Sequence, residues 1–248
     1  MGALSRTAAA VVVFWLMAGC ELATGLNAYD IAKGGEPNEG GGGSGGEGGS
    51  SSDGGAGGMG PLTCDFSDDF DDGVISDLWQ QSTDPDLSIF EDGELVFDVP
   101  GGPGKLASSV RTARFDVGGC AATVELVSAE LDSLSFAHFE FFIDSENRAG
   151  FLLVGDELRF HHEVESAMDR TDTVYDPSQH RFLRIAHRNG EFAWSTSGDG
   201  QTWDLQRTHP SPLDATAMRV VLGTEVLPDN PGAPAYEVRF DDVSARAP

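Results

Sequence analysis

Basic residues are scarce in this chain: 15 Lys plus Arg stand against 41 Asp plus Glu in 248 residues, a formal net charge of −26. Nucleic acid is held mainly by cations that neutralise phosphates, so a surface this acidic excludes it as a partner. A basic patch that docks on lipid head groups is excluded on the same ground. Cysteine is scarce as well, at three residues, and no pair has the spacing of a zinc site. Long apolar runs are missing: the one in residues 8–17 falls well short of the roughly 20 residues a membrane-spanning helix needs. No window carries the period of a long amphipathic helix, although residues 128–134 have room for one turn. Catalytic signatures are missing too. There is no Gly-x-Ser-x-Gly elbow and no His-Glu-x-x-His, and His138, His180, His187 and His209 are dispersed.

Glycine is what the chain has in excess. An average usage near 7 % would give roughly 17, against 32 found, and 15 of them fall in residues 34–60 with four acids and no base. Such a segment buries too little apolar surface to offset the entropy of ordering it. It reads as a tether, and about 40 flexible residues span roughly 35 Å on average. In front of it, Arg6, the apolar stretch 8–17 and the exit Ala18-Gly19-Cys20 form an export signal. Leu16-Met17-Ala18-Gly19-Cys20 resembles the bacterial lipobox, although Met17 stands where Leu is usual. That resemblance implies cleavage before Cys20 and acylation of Cys20, hence permanent attachment to a lipid bilayer. An ordinary secretory peptide cut nearby is the alternative. Glu21 is not the Asp that some enteric bacteria use for inner-membrane retention. The expected location is therefore the cell envelope, at the outer membrane or surface rather than the inner membrane.

The expected organisation is a signal peptide over 1–19, a lipidated N-terminus with linker over 20–61, and one domain over 62–248. That last span is long enough for a substantial single core. Runs such as Glu94-Leu95-Val96-Phe97-Asp98-Val99 and Tyr236-Glu237-Val238-Arg239-Phe240 alternate as half-buried strands do. Turn signals separate the runs at Asp92-Gly93, Gly155-Asp156, Asn189-Gly190 and Gly198-Asp199-Gly200. Many short strands without helical crossovers predict an all-β fold, an antiparallel β-sandwich or jelly roll.

Three segments carry a resemblance. Asp68-Asp69-Phe70-Asp71-Asp72-Gly73-Val74-Ile75-Ser76-Asp77-Leu78-Trp79 resembles the opening of concanavalin A-like lectin/glucanase jelly rolls, a group that includes laminin-G-like modules. His180-Arg181-Phe182-Leu183-Arg184-Ile185, followed by Trp194 through Trp203, is similar to their middle hairpins. Val238-Arg239-Phe240-Asp241-Asp242-Val243 is similar to their last strand, which the resemblance pairs with the first. These motifs specify a fold, and the group spans lectins, glycosidases and modules without activity, so function does not transfer with it.

Once Cys20 is acylated, Cys64 and Cys120 remain, and an even remainder in an oxidising compartment predicts a disulfide. Two buried free thiols are the alternative. Retaining glycosidases need two carboxylates about 5 Å apart. The laminarinase-like pattern Glu-x-Asp-x-x-Glu is absent, which leaves Glu140 with Asp144 and Glu163 with Glu165 as candidates, against the simpler reading of solvated edge charges. Adjacent His161 and His162 point to opposite faces of a strand and cannot easily share an ion. No cofactor is required. A structural calcium at Asp69, Asp71, Asp241 and Asp242 is more plausible than zinc, because hard cations want several oxygens, with a solvated acidic edge as the alternative. Ser197-Gly198-Asp199-Gly200-Gln201-Thr202-Trp203 nearly matches an Asp box and reads as a turn whose Asp satisfies backbone donors. Trp79, Trp194 and Trp203 read as core, and Phe142, Tyr175 and Tyr236 as candidate platforms for a sugar ring. His138, Glu140, His162 and Arg184 are the candidate ligand contacts. The resulting expectation is a monomeric, non-catalytic module for a glycan or envelope component, with a glycosidase or a purely structural module as alternatives.

Overall fold

Runs of β-branched and aromatic residues, each cut after a few positions by Gly, Asp or Asn, favour strands over helices. The computed structural model describes residues 64–102, 106–227 and 232–247; the signal, Cys20 and linker assignments lie outside the described residues. In chain order the strands are β1 (Asp65–Asp68), β2 (Gln80–Thr83), β3 (Ser88–Glu91), β4 (Leu95–Val99), β5 (Leu106–Arg111), β6 (Cys120–Ala129) and β7 (Ser135–Asp144). There follow β8 (Asn147–Val154), β9 (Glu157–Val164), β10 (Ala167–Val174), β11 (Phe182–Arg188) and β12 (Glu191–Ser197). The last are β13 (Asp204–Pro210), β14 (Arg219–Val226) and β15 (Tyr236–Arg246). A four-residue helix, α1 (Pro177–His180), and a 3-10 turn at Ala215–Ala217 are the only helical pieces among the described residues. Residues 128–134 do not form a helical turn: Ser128 and Ala129 extend β6, and Asp132 then accepts from the Leu134 amide in the loop that follows.

Two antiparallel sheets result. One has eight strands in the order β13-β12-β11-β6-β15-β4-β3, with β1 also paired to β15; the other has seven, in the order β10-β9-β8-β7-β14-β5-β2. The chain is an all-β jelly-roll sandwich. The first and last strands do pair, with Asp68 opposite Val243. Asn189 and Gly190 both take positive φ (54° and 77°), as a two-residue hairpin between β11 and β12 requires.

Between the sheets, Phe97, Leu126, Phe139, Phe141, Phe151, Phe160, Phe192, Trp194 and Phe240 are fully buried and form the core. Trp79 joins them, and its indole Nε1 donates to Asp68 at 2.9 Å. Trp203 does not: it is half-buried beneath the Arg184 guanidinium, which lies 4.2 Å from its ring centroid. The near-Asp-box turn behaves as its sequence implies, because Asp199 accepts from the amides of Gln201 and Thr202 at 2.9 and 2.7 Å. Cys64 and Cys120 are bonded, closing a separation of 56 residues.

Candidate functional site

Strand alternation decides which side chains leave the core. Phe139 and Phe141 of β7 point inward, so His138, Glu140 and Phe142 lie on the face turned away from the other sheet. Residues directly opposite one another in register share a face. One row across the seven-stranded sheet therefore reads Gln80, Arg111, Val221, Glu140, Gly150 and His161. The next row reads Arg219, Phe142, Arg148 and Glu163.

Charges on an outward sheet face are ordinarily hydrated, but these cover one another. Glu140, Arg148, His161 and Glu163 are all at most 6 % exposed. The Arg148 guanidinium donates through Nε to Glu163 at 2.7 Å and through Nη1 to Glu140 at 3.5 Å. His161 Nε2 lies 3.1 Å from the same Glu140 oxygen. Gly150 makes this contact possible. A Cβ there would stand 2.3 Å from the Phe139 carbonyl oxygen and 2.7 Å from the Glu140 Cα, so only glycine lets Glu140 and His161 meet across β8. Gly223 does the same for His138, whose ring Nε2 would be 2.5 Å from an added Cβ.

Burial alone would raise the Glu140 carboxyl, but Arg148 and the His161 contact outweigh it and hold the group down at about 2. Burial likewise opposes the Arg148 charge, yet Glu140 and Glu163 lift its pKa above the ordinary arginine value. The His138 imidazole is pushed down, chiefly by burial, with Glu140 opposing. The network thus fixes an ionised carboxylate and a permanent cation side by side.

The four ligand contacts expected from sequence do not converge. His138 and Glu140 share this face. His162 points the other way, as its alternation with His161 requires: it pairs with Ser211 Oγ at 2.8 Å and stacks on His209 at 4.6 Å. Burial, then His209 and Arg207, push its pKa down to about 4. Arg184 belongs to the eight-stranded sheet, over Trp203. Neither glycosidase pair forms as expected. Glu165 falls in the β9–β10 turn at φ 50°, off the strand that carries Glu163, and Asp144 ends β7 in a turn where it accepts from Asn147. Instead Arg148 joins Glu140 to Glu163. Of the platforms, Phe142 is half-buried on the network's face, Tyr175 is half-buried beside His180, and Tyr236 is buried with its hydroxyl on Thr224.

A concavity of about 530 Å³ lies on the eight-stranded sheet and includes Asp68, Asp69, Phe182 and Asp242. Beside it the carboxylates of Glu125, Asp241 and Asp242 come within 4.8 Å of one another. Of the four Asp residues expected to hold a metal, Asp241 and Asp242 are brought together and Asp69 and Asp71 stand outside the trio. Glu125, opposite Asp241 in register, was not expected, since a pairing between β6 and β15 leaves no local signal. Burial first, then Asp242, Glu125 and Asp71, push the Asp241 carboxyl up to about 6. Glu125 is also ion-paired to Arg181.

No protein-family model and no curated protein matches this chain. Solved structures do. An endo-acting O-glycanase from human gut microbiota, described as initiating mucin breakdown, superposes with a TM-score of 0.55 at 14 % identity over 73 % of this chain and 98 % of its own. An uncharacterized protein from Mycobacterium paratuberculosis gives 0.55 at 14 % identity, covering 73 % and 99 %. A β-1,3-glucanase from Mycobacterium marinum gives 0.51 at 12 % identity, covering 73 % and 97 %. Likenesses at such low identity establish the fold, a concanavalin-like β-sandwich, and leave the chemistry to this chain's own residues.

Proposed function

We propose that the chain is an exported, lipid-anchored, monomeric module that binds a glycan on the outer face of its seven-stranded sheet without cleaving it. The observation that carries the reading is the buried network of Glu140, Arg148, His161 and Glu163, with Phe142 beside it. The network holds this face in one shape, so half-buried Phe142 beside it meets a sugar ring as apolar ground at little further ordering cost. The solved relatives that act on glycans agree with this substrate class. Cleavage is disfavoured by charge: a retaining mechanism needs one carboxyl protonated near neutral pH, while Arg148 keeps Glu140 ionised and engages Glu163 directly.

Calcium at Glu125, Asp241 and Asp242 belongs to the same proposal. There it would neutralise three crowded carboxylates and so stabilise the pairing of β6 with β15. Export and acylation at Cys20 are tested by growth with a signal-peptidase II inhibitor, which should accumulate a longer precursor. Binding is tested on a glycan array with the intact chain: Phe142→Ala should lose at least tenfold in affinity with an unchanged melting temperature. Reducing ends released by wild type and lost in Glu163→Gln would refute the non-catalytic reading, and silence across the array would refute binding.

A further inference from the structure

The outer face of the seven-stranded sheet carries a second group of charges at its β14–β5 side, and these have no counterions among the described residues. Arg219 is directly opposite Phe142, and Arg111 is opposite Val221, so both project on the face of the proposed glycan site. Arg114 lies three residues past the end of β5 and reaches back across the same corner, donating to the carbonyls of Ala217 at 3.2 Å and Ile143 at 2.9 Å. Those two carbonyls flank Arg219 and Phe142, which fixes Arg114 beside them.

Among the described residues, none of the three has a carboxylate within ion-pair distance. The Nε atoms of both Arg111 and Arg219 are buried from solvent with no acceptor. In the same row Glu140 is two strands from Arg111, about 10 Å at ordinary strand spacing, and it is committed to Arg148 and His161. The crowding is costly: burial first, then Arg111 and Arg114, push the Arg219 pKa down to about 10. A chain with 41 acidic residues has no shortage of partners for three arginines. Arg114 is exposed, but half-burying Arg111 and Arg219 without one costs desolvation that folding alone does not recover, and an arriving anion would recover it. The planar guanidinium fork suits an oxyanion.

We infer that the glycan bound on this face is acidic, its carboxylate or sulfate gripped by Arg111 and Arg219 while Phe142 between Arg219 and Arg148 supports the ring. This rests on the glycan-binding reading above and adds the ligand's charge. The net negative charge of the chain repels a polyanion at long range, so the pair acts at contact, and selectivity resides in the dissociation rate more than in encounter.

The test uses the intact chain on an array that pairs uronate, sialate and sulfated oligosaccharides with their carboxyl-reduced or desulfated counterparts. The charged members should bind at least tenfold more tightly than the neutral ones in 50 mM salt, with the gap narrowing as salt rises. Arg111→Gln and Arg219→Gln should each erase that gap while keeping the residual affinity for the neutral partners. Their melting temperatures should stay level or rise, because an unpaired cation has been removed; a purely structural arginine would lower them. Arg219→Lys should restore part of the gap. Hits among sulfated members alone identify sulfate as the group gripped, and hits among carboxylated members alone identify a uronate or sialate. Equal binding of charged and neutral members, or a gap that survives Arg219→Gln, overturns the inference and leaves glycan binding standing. Silence across the array overturns both.

Discussion

Arg148 holds two carboxylates on a sheet face with almost no water, and that arrangement makes it the least replaceable polar residue described. Arg148→Met would strand Glu140 and Glu163 as uncompensated buried charges and should cost about 3–5 kcal/mol at pH 7, read by chemical denaturation. The sign with pH follows from Glu140. Its folded pKa is depressed to about 2, so its contribution is present above the unfolded value near 4.5 and is lost as pH falls toward 2. The loss in Arg148→Met should therefore shrink at low pH, and adding Glu140→Gln with Glu163→Gln should recover much of it. Asp241 behaves oppositely. Its folded pKa is raised to about 6, so its stabilising contribution is present at pH 4 and lost as pH rises through 6. In EDTA, Asp241→Asn should raise the melting temperature at pH 8 and leave it unchanged at pH 4; with millimolar calcium, the wild type should gain and the variant should not. At this scale the sequence made Glu140 and Glu163 visible as acids in strand contexts, and it implied that His161 and His162 must diverge. It could not reveal that Arg148 joins the two acids, because that depends on the registers of β7, β8 and β9 together.

Elements were more readable than sites, for a local reason. Asn189-Gly190 and Gly155-Asp156 fix hairpins by their own backbone preferences, so β11–β12 and β8–β9 could be placed without knowing what they pack against. Sheet order is nonlocal. That β14 inserts between β7 and β5 has no short-range signature, and this insertion brings Arg219 and Arg111 to the outer face of the seven-stranded sheet. The helical turn for which residues 128–134 had room did not form, because extending β6 there gains pairing with β15 at Ser128 and Ala129, which a single isolated turn cannot match. Gly150 is the position where an element and its site depend on one atom. Gly150→Ala would push a methyl onto backbone at 2.3 Å, and since backbone in a central strand cannot retreat, a loss of about 2–3 kcal/mol is expected by overpacking. The same opening of β8 should weaken glycan binding even at temperatures where the variant stays folded.

At the scale of the molecule, the parity of cysteines left once Cys20 is set aside for acylation, an expectation read from the sequence alone, was enough to anticipate the Cys64–Cys120 bond, which needed no knowledge of the fold. Reduction should lower stability by about 4 kcal/mol on the loop-entropy account, seen as a lower melting temperature in dithiothreitol that a Cys64→Ser, Cys120→Ser chain reproduces without reductant. The bond also governs how force enters the protein. Cys64 directly precedes β1, a four-residue strand paired on one side only, to β15, whereas Cys120 opens β6, which is flanked by β11 and β15. A pull on the chain ahead of Cys64 would otherwise unzip β1 from β15 one hydrogen bond at a time. With the crosslink in place, tension bypasses β1 and arrives at an interior strand supported on both sides, so the domain resists tugging from its N-terminal side far better than its weakest strand would suggest.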